Sequence, residues 1–193
     1  MSTHTNQEVL FTKRPNGNEN NMTECFQVNN IDMPTKDMLN ENEVVVASYL
    51  FSVDPTMRNA MVGSTLGLTE KENTNTYYQM MNWKTNNPGS GRIIGYILHS
   101  KDANFKVGDC VSTRGYWRRF NVFKSSKVQK LDTSIPVESY MSVLGGTGNA
   151  SYLPIKHIGK PKEGEVAFVS GAAGATGFCA VVSYQSLYNK LNN

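Results

Sequence analysis

The sequence predicts an α/β protein in which a β-rich domain comes before a strand, a tight turn and a helix. Three observations predict this order. Runs of β-branched and aromatic residues dominate the chain before residue 135, helical patterns begin after Pro136, and an apolar run near the end leads into a turn of small residues. The chain has 193 residues, 39% of them hydrophobic, which is enough for a core. We place the domain boundary between residues 138 and 139, which gives domains 1–138 and 139–193.

The first domain is predicted to be a compact, partly closed β-barrel. Three segments combine β-branched and aromatic residues and predict strands: Val44–Phe51, Ile93–Leu98 and Tyr116–Phe123. A Gly108-Asp109 turn directly precedes Cys110-Val111, an arrangement that changes chain direction at a barrel corner. Stretches rich in Asn, Thr and Glu predict solvated loops at 15–21, 40–43 and 69–75.

Helical patterns dominate the start of the second domain. Val137–Leu144 and Ala150–Ile158 are predicted as helices, separated by a flexible glycine turn at Gly145–Gly148. Pro154 must either kink the second of these helices or occupy its first turn.

The last motif is a strand, a glycine turn and a helix. Val166–Val169 has the composition of a strand, and Phe178–Val182 continues into a helix. In a G-x-G-x-x-G turn, the second glycine admits the pyrophosphate of a dinucleotide and the third allows close packing. Here Gly174 and Gly177 take those two places. The predicted pyrophosphate-binding residues are Gly171, Ala172, Ala173, Gly174, Ala175, Thr176 and Gly177. Taken alone, the motif also fits a strand-helix turn that binds no ligand.

Four segments in this order resemble one enzyme superfamily: Ser52-Val53-Asp54-Pro55-Thr56-Met57-Arg58, Val107-Gly108-Asp109 followed by Tyr116-Trp117, Leu144-Gly145-Gly146-Thr147-Gly148, and Lys162-Glu163-Gly164-Glu165 leading into Val169–Gly177. From about Leu10 to Ala180 the chain resembles the medium-chain dehydrogenase/reductase superfamily, in its zinc-independent branch of prostaglandin reductases and alkenal double-bond reductases. The resemblance implies a GroES-like partly closed β-barrel followed by the first βα unit of an incomplete Rossmann domain. It also implies a chain truncated within its cofactor domain, because only 16 residues follow Gly177.

The resemblance implies an NADP(H)-dependent enzyme that reduces the carbon-carbon double bond of an enone or enal by hydride transfer. Thr56, Tyr116 and Trp117 match segments that line the substrate cleft in such relatives, although packing in the barrel core is an equal alternative for one of the two aromatics. Zinc-dependent members of the superfamily have a cysteine ligand in the region that corresponds to Asp54–Arg58, and no cysteine lies between Cys25 and Cys110, so the resemblance implies no catalytic zinc. The preference for NADP over NAD is implied by the resemblance alone. Lys190 is the one residue considered for a contact to the 2'-phosphate, but we expect it to be an exposed lysine at a helix end.

The charge and composition of the chain argue against some classes of binding partner. The net charge of +3 comes from scattered Lys and Arg, which argues against nucleic-acid binding. No apolar run reaches membrane-spanning length, and the three separated cysteines favour a reduced, cytoplasmic protein. The expected partner is a small enone or enal, with a homodimer possible. Two alternatives stay open: an inactive family remnant or interaction module, and an NADPH quinone reductase.

Overall fold

The computed structural model describes residues 5–15, 22–62, 82–162 and 164–191. The chain divides into two compact units, one ending at Leu131 and the other beginning at Asp132. This division lies earlier than the predicted boundary at 138/139. A β-rich unit before a helical one agrees with the predicted mixed α/β fold class, which is confirmed.

Antiparallel strands build the first unit. Within the described ranges its strands are β1 Asn6–Phe11, β2 Phe26–Ile31, β3 Glu43–Phe51, β4 Asn87–Pro88, β5 Ser90–Ser100, β6 Cys110–Tyr116, β7 Phe120–Lys124 and β8 Gln129–Lys130. They form a three-stranded sheet in the order β2-β1-β4 and a five-stranded sheet in the order β7-β3-β5-β6-β8. A short helix, α1 (Met57–Val62), follows β3.

Two apolar clusters stabilise these sheets. Val44, Val46, Ile97, Val111 and Val128 pack together across the larger sheet. The other cluster joins the smaller sheet to α1 through Phe11, Cys25, Met57, Ala60, Met61 and Trp83, with Phe26 and Trp117 packed against it. Burial of this apolar surface is the main favourable contribution to folding.

The predicted strands at Val44–Phe51 and Ile93–Leu98 are confirmed, but a single strand over Tyr116–Phe123 is wrong. The chain leaves β6 at Tyr116, turns through residues 117–119 and enters β7 at Phe120. Backbone bonds to other strands hold this corner, because the Trp117 N–H donates to Gly89 O and the Arg119 N–H donates to Gln7 O. The predicted Gly-Asp turn is present, with Gly108 at φ 90°.

Side chains of β1 also bond to the corner between β6 and β7. The buried Asn6 amide donates to Phe120 O and accepts from the Phe120 N–H, both at 3.0 Å. The Glu8 carboxylate, also buried, accepts from Arg118 Nε at 2.7 Å and from Asn29 Nδ2 at 3.2 Å. The corner is therefore tied to β1 by both backbone and side chains.

Helices form the second unit. A short 3-10 turn covers Val137–Met141, α2 spans Gly146–Pro154, a π turn covers Ile155–Gly159 and α3 spans Ala175–Leu191. Two predictions need correction here. Val137–Leu144 forms only the short turn and not a full helix, and Gly146–Gly148 belong to the first turn of α2, where the Asn149 N–H donates to Gly145 O at 3.1 Å. Pro154 lies within the helical stretch 146–159, which changes from α-helix to a π turn directly after it.

The predicted strand at Val166–Val169 is also wrong, since the segment joins no β-ladder in the described part of the chain. A parallel strand needs a neighbouring strand for its backbone groups, and none of the described strands lies beyond Lys130. Of the predicted loops, a turn is present at Asn40–Glu43, where Asn42 has φ 62°. The loop predicted at 69–75 lies outside the described residues, as does most of that at 15–21.

Replacing Asn6 tests the tie between β1 and the corner. Asn6→Ala removes both hydrogen bonds with Phe120 and a longer one to Asp32 O, and it leaves the Phe120 N–H without its partner, so we expect the free energy of unfolding to fall by about 2–4 kcal/mol. Gln7→Ala is the matched control, because the Gln7 side chain is exposed and contacts Asn30 at the surface. Urea denaturation measures both variants, and equal losses for the two would contradict the role given to Asn6.

The ion pair at the Gly108-Asp109 turn predicts a pH dependence. The hydrogen bond from Lys130 Nζ, at 2.6 Å from Oδ2, and then that from the Lys106 N–H hold the pKa of Asp109 below its ordinary value of 3.8. A lowered folded pKa stabilises the fold above the unfolded pKa, and this contribution is lost as pH falls through the folded pKa. The difference in unfolding free energy between wild type and Asp109→Asn should therefore be largest at pH 7 and should shrink as the pH falls below 3.8 and through the lowered folded pKa. Urea denaturation as a function of pH measures this difference, and a difference independent of pH would contradict the ionic origin.

Candidate functional site

The glycine turn before α3 forms from local interactions. Gly171 has φ 61°, in the left-handed region that favours glycine. The Gly174 N–H donates to Gly171 O at 2.9 Å and closes the turn, and the Phe178 N–H donates to Gly174 O at 2.8 Å as α3 begins. The chain thus bends sharply and enters a helix of 17 residues.

Gly177 allows the first turn of α3 to lie against this bend. A Cβ placed on Gly177 would overlap Gly171 O and lie 2.8 Å from Ala172 Cα. Both neighbours are backbone atoms, so a side chain at Gly177 would displace the turn itself. This close approach is the role predicted for the third glycine, here between the helix and the turn.

The start of α3 presents hydrogen-bond donors. Among the described residues, the N–H groups of Ala175, Thr176 and Gly177 have no backbone acceptor, as expected for the first turn of a helix. No acidic residue lies in this first turn, and Gly171 to Thr176 are exposed. The partial positive charge of the helix start adds to these donors, so the turn has the chemistry that a phosphate group requires.

The remaining predicted residues lie in the β-rich unit. Thr56 is exposed in the turn before α1, where its carbonyl accepts from the Asn59 N–H at 3.1 Å. Asp54-Pro55 does start a helical turn, since the Met57 N–H donates to Asp54 O at 2.9 Å. The Thr56 side chain is therefore available to a ligand.

Tyr116 and Trp117 have different surroundings. The Trp117 ring packs against Trp83 and Phe26, with centroid distances of 5.1 and 5.9 Å. Trp117 is therefore the aromatic that packs in the core, which the sequence leaves as an alternative to lining the substrate cleft. Its indole Nε1 is buried and has no hydrogen-bond partner among the described residues. Tyr116 is 46% exposed and lines a groove of about 610 Å³, together with Arg114 and Arg118. Sequence reasoning missed Arg114, Asn6 and Glu8, because no motif marks them.

Three further observations bear on the site. In the described ranges, no group of His, Cys, Asp and Glu side chains is arranged to hold a metal ion. No helix among those same residues has the length and apolar character needed to cross a membrane. Lys190 lies outside the part of the chain whose side chains are described.

Comparisons with known proteins identify the family of the chain. The family model described as the N-terminal domain of oxidoreductase matches residues 7–131. The putative NADP-dependent oxidoreductase YfmJ of Bacillus subtilis is 33% identical over 176 residues, covering 91% of this chain and 47% of YfmJ. The NADP(+)-dependent 2-alkenal reductase of Nicotiana tabacum is 27% identical, covering 79% of this chain and 42% of that protein.

Among solved structures, CurA from Vibrio vulnificus superposes with a TM-score of 0.74 at 23% identity, covering 94% of this chain and 49% of CurA. That likeness shows the fold. The chain spans about half the length of the curated relatives it matches. It belongs to the family of oxidoreductase N-terminal domains, and through it to the zinc-independent medium-chain dehydrogenase/reductase superfamily.

A pair of glycine substitutions tests the turn. Gly177→Ala should lower the free energy of unfolding of the second unit by about 1–3 kcal/mol, because its Cβ meets backbone atoms. Gly146→Ala is the matched control in the first turn of α2, where a Cβ meets nothing within 4 Å. We expect this control to be neutral or to stabilise by up to about 1 kcal/mol. Thermal unfolding followed by circular dichroism compares the two, and a tolerated Gly177→Ala would contradict the close approach.

Proposed function

We propose that this chain carries the substrate-binding part, and the start of the cofactor-binding part, of an NADP(H)-dependent oxidoreductase that reduces the carbon-carbon double bond of α,β-unsaturated ketones or aldehydes. The observation that carries the proposal is the glycine turn with its free N–H groups before α3. The names of two relatives support it, one a 2-alkenal reductase and the other an NADP-dependent oxidoreductase.

In this proposal the turn holds the cofactor's pyrophosphate. The N–H groups of Ala175, Thr176 and Gly177 donate to phosphate oxygens, and Gly174 lets the backbone approach them. A structure of CurA in complex with NADPH, 23% identical to this chain, has the same fold with a TM-score of 0.71. When bound, NADPH supplies the hydride for the β-carbon of the substrate, while the α-carbon takes a proton from solvent or a hydroxyl group.

The side chains proposed for the substrate are Thr56, Tyr116 and Trp117. Tyr116 offers an exposed aromatic face and a hydroxyl donor, and the hydroxyl of Thr56 is exposed before α1. Trp117 would act by fixing the corner that presents Tyr116, because its own ring packs inside the aromatic cluster. We assign no residue of this chain to proton transfer.

A second candidate is a family remnant that binds no dinucleotide and acts as an interaction module. The observation that favours it is the exposure of Val166 and Phe168, which are 96% and 92% accessible beside the turn. Apolar side chains at such exposure are typical of surfaces that contact another polypeptide.

Titration with NADPH separates the two candidates. We expect micromolar binding by cofactor fluorescence, lost in Gly177→Asp, which adds bulk and negative charge among the N–H groups. Gly146→Asp is the matched control at the start of α2 and should bind as wild type does. No binding at millimolar NADPH would favour the remnant. Where NADPH binds, oxidation of NADPH with 2-alkenals but not with quinones supports double-bond reduction, and the reverse preference supports a quinone reductase.

A further inference from the structure

Among the described residues, four strands lie at the edges of the two sheets, and three of them carry features that block pairing with another chain. An edge strand can add a further strand unless charge, proline or short length prevents it. β4 contains Pro88, and β8 has two residues, one of them Lys130. β7 ends in Lys124, and the Asn6 side chain already bonds to the N–H and carbonyl of Phe120. The fourth edge strand, β2, has none of these features.

β2 is uncharged and regular. Its six residues, Phe26–Ile31, pair with β1 without a bulge. The Val28 side chain, near the middle of the strand, is 64% exposed. The nearest acidic residues, Glu24 and Asp32, lie outside the strand, and Glu24 forms an ion pair with Lys13 at 3.1 Å. An exposed, uncharged edge of this kind favours the addition of another strand.

The register of β2 identifies the backbone groups that it offers. The Thr12 N–H donates to Cys25 O at 2.8 Å, in continuation of the ladder between β1 and β2. Successive residues of an antiparallel strand direct their backbone groups to opposite sides, so every second residue from Cys25 bonds to β1. The residues between them, Phe26, Val28 and Asn30, direct their N–H and carbonyl groups away from β1. In the described part of the chain, no hydrogen bond is formed to these groups on that side.

We propose that β2 pairs with β2 of a second copy of this chain, antiparallel and about a two-fold axis at Val28. In this register Val28 faces Val28 of the second copy, and Phe26 faces Asn30 of the second copy. Each of these three residues then donates one backbone hydrogen bond to the other chain and accepts one. The same edge serves both copies, so the assembly closes as a dimer. This pairing requires neither NADP(H) nor a substrate, and it goes beyond the proposed function.

The side chains of β2 suit a copy of the same strand. The two Val28 side chains come together on one face of the joined sheet and cover apolar surface that is otherwise exposed. On the other face, Gln27 lies opposite Asn29 of the second copy, where both side chains have amide donors and acceptors. No like charges are opposed within the strand, and Asp32 beyond its end approaches the ion-paired Glu24 of the second copy. A second copy is therefore an electrostatically acceptable partner for this edge.

Sedimentation velocity on the full chain tests the proposal. One pair of short strands buries a small area, so we expect a dissociation constant of about 10 µM, with mainly dimer at about 100 µM and mainly monomer at about 1 µM. Val28→Lys places two like charges opposite each other at the axis and should leave the chain monomeric at about 100 µM. Val107→Lys is the matched control, because Val107 is 70% exposed in the turn before β6 and should dimerise as wild type does.

Two further variants test the register. Val28→Glu alone should be monomeric, but an equimolar mixture with Val28→Lys should dimerise, because opposite charges then meet across the axis. Val28→Pro removes an N–H that β1 does not use, so it should abolish the dimer and keep the wild-type circular dichroism spectrum. If this variant fails to fold, the two charged variants still decide the question, since residue 28 is exposed.

Several results would overturn the proposal. One is a wild type that stays monomeric at about 200 µM, and another is a Val28→Lys variant that dimerises as wild type does. Equal loss of the dimer in Val28→Lys and Val107→Lys would indicate a response to net charge alone. A mixture of the two charged variants that stays monomeric would exclude the axis at Val28. Assemblies larger than a dimer would exclude closure by a two-fold axis.

Discussion

The β-rich unit depends on the attachment of β1 to the corner between β6 and β7. The side-chain amide of Asn6 pairs with the backbone of Phe120 as a neighbouring strand would, because it donates one hydrogen bond to the carbonyl and accepts one from the N–H. Glu8 is 7% exposed at its side chain and is stabilised there by Arg118 and Asn29. A buried carboxylate without partners would be strongly unfavourable, so the burial of Glu8 depends on Arg118 of the corner and on Asn29 of β2.

This attachment explains why the adjacent side chains of Tyr116 and Trp117 have different surroundings. The Val9 N–H donates to Trp117 O at 2.9 Å, and the Trp117 N–H donates to Gly89 O at 2.7 Å, so the Trp117 backbone is fixed on both sides. Its ring consequently lies in the aromatic cluster with Trp83. Tyr116, one residue earlier, projects to the surface and lines the groove. A single corner thereby supplies both a core contact and a surface available to a ligand.

Elements with a local signal could be predicted from the sequence, and the rest could not. β3 and β5 are rich in β-branched residues, and the Gly108-Asp109 turn needs only its own residues. β1 escaped prediction because its buried positions include Asn6 and Glu8, which reverse the usual alternation of apolar and polar residues. Arg114 could not be recognised either, since its place in the groove depends on β2 and β7, far away in sequence. Such pairings are tertiary and leave no mark in a local pattern.

The second unit shows the same distinction between local and distant requirements. The bend at Gly171, the close approach at Gly177 and the N–H groups at the start of α3 all arise between Gly171 and Gly177. A strand needs a neighbouring strand for its backbone groups, and in the described part of the chain Val166–Val169 joins no β-ladder while Val166 and Phe168 are exposed. The turn therefore forms from local interactions and needs no β-strand directly before it. In the proposed function its contribution to dinucleotide affinity comes from its own N–H groups, because helix N-terminal donors act over only the first turn of the helix.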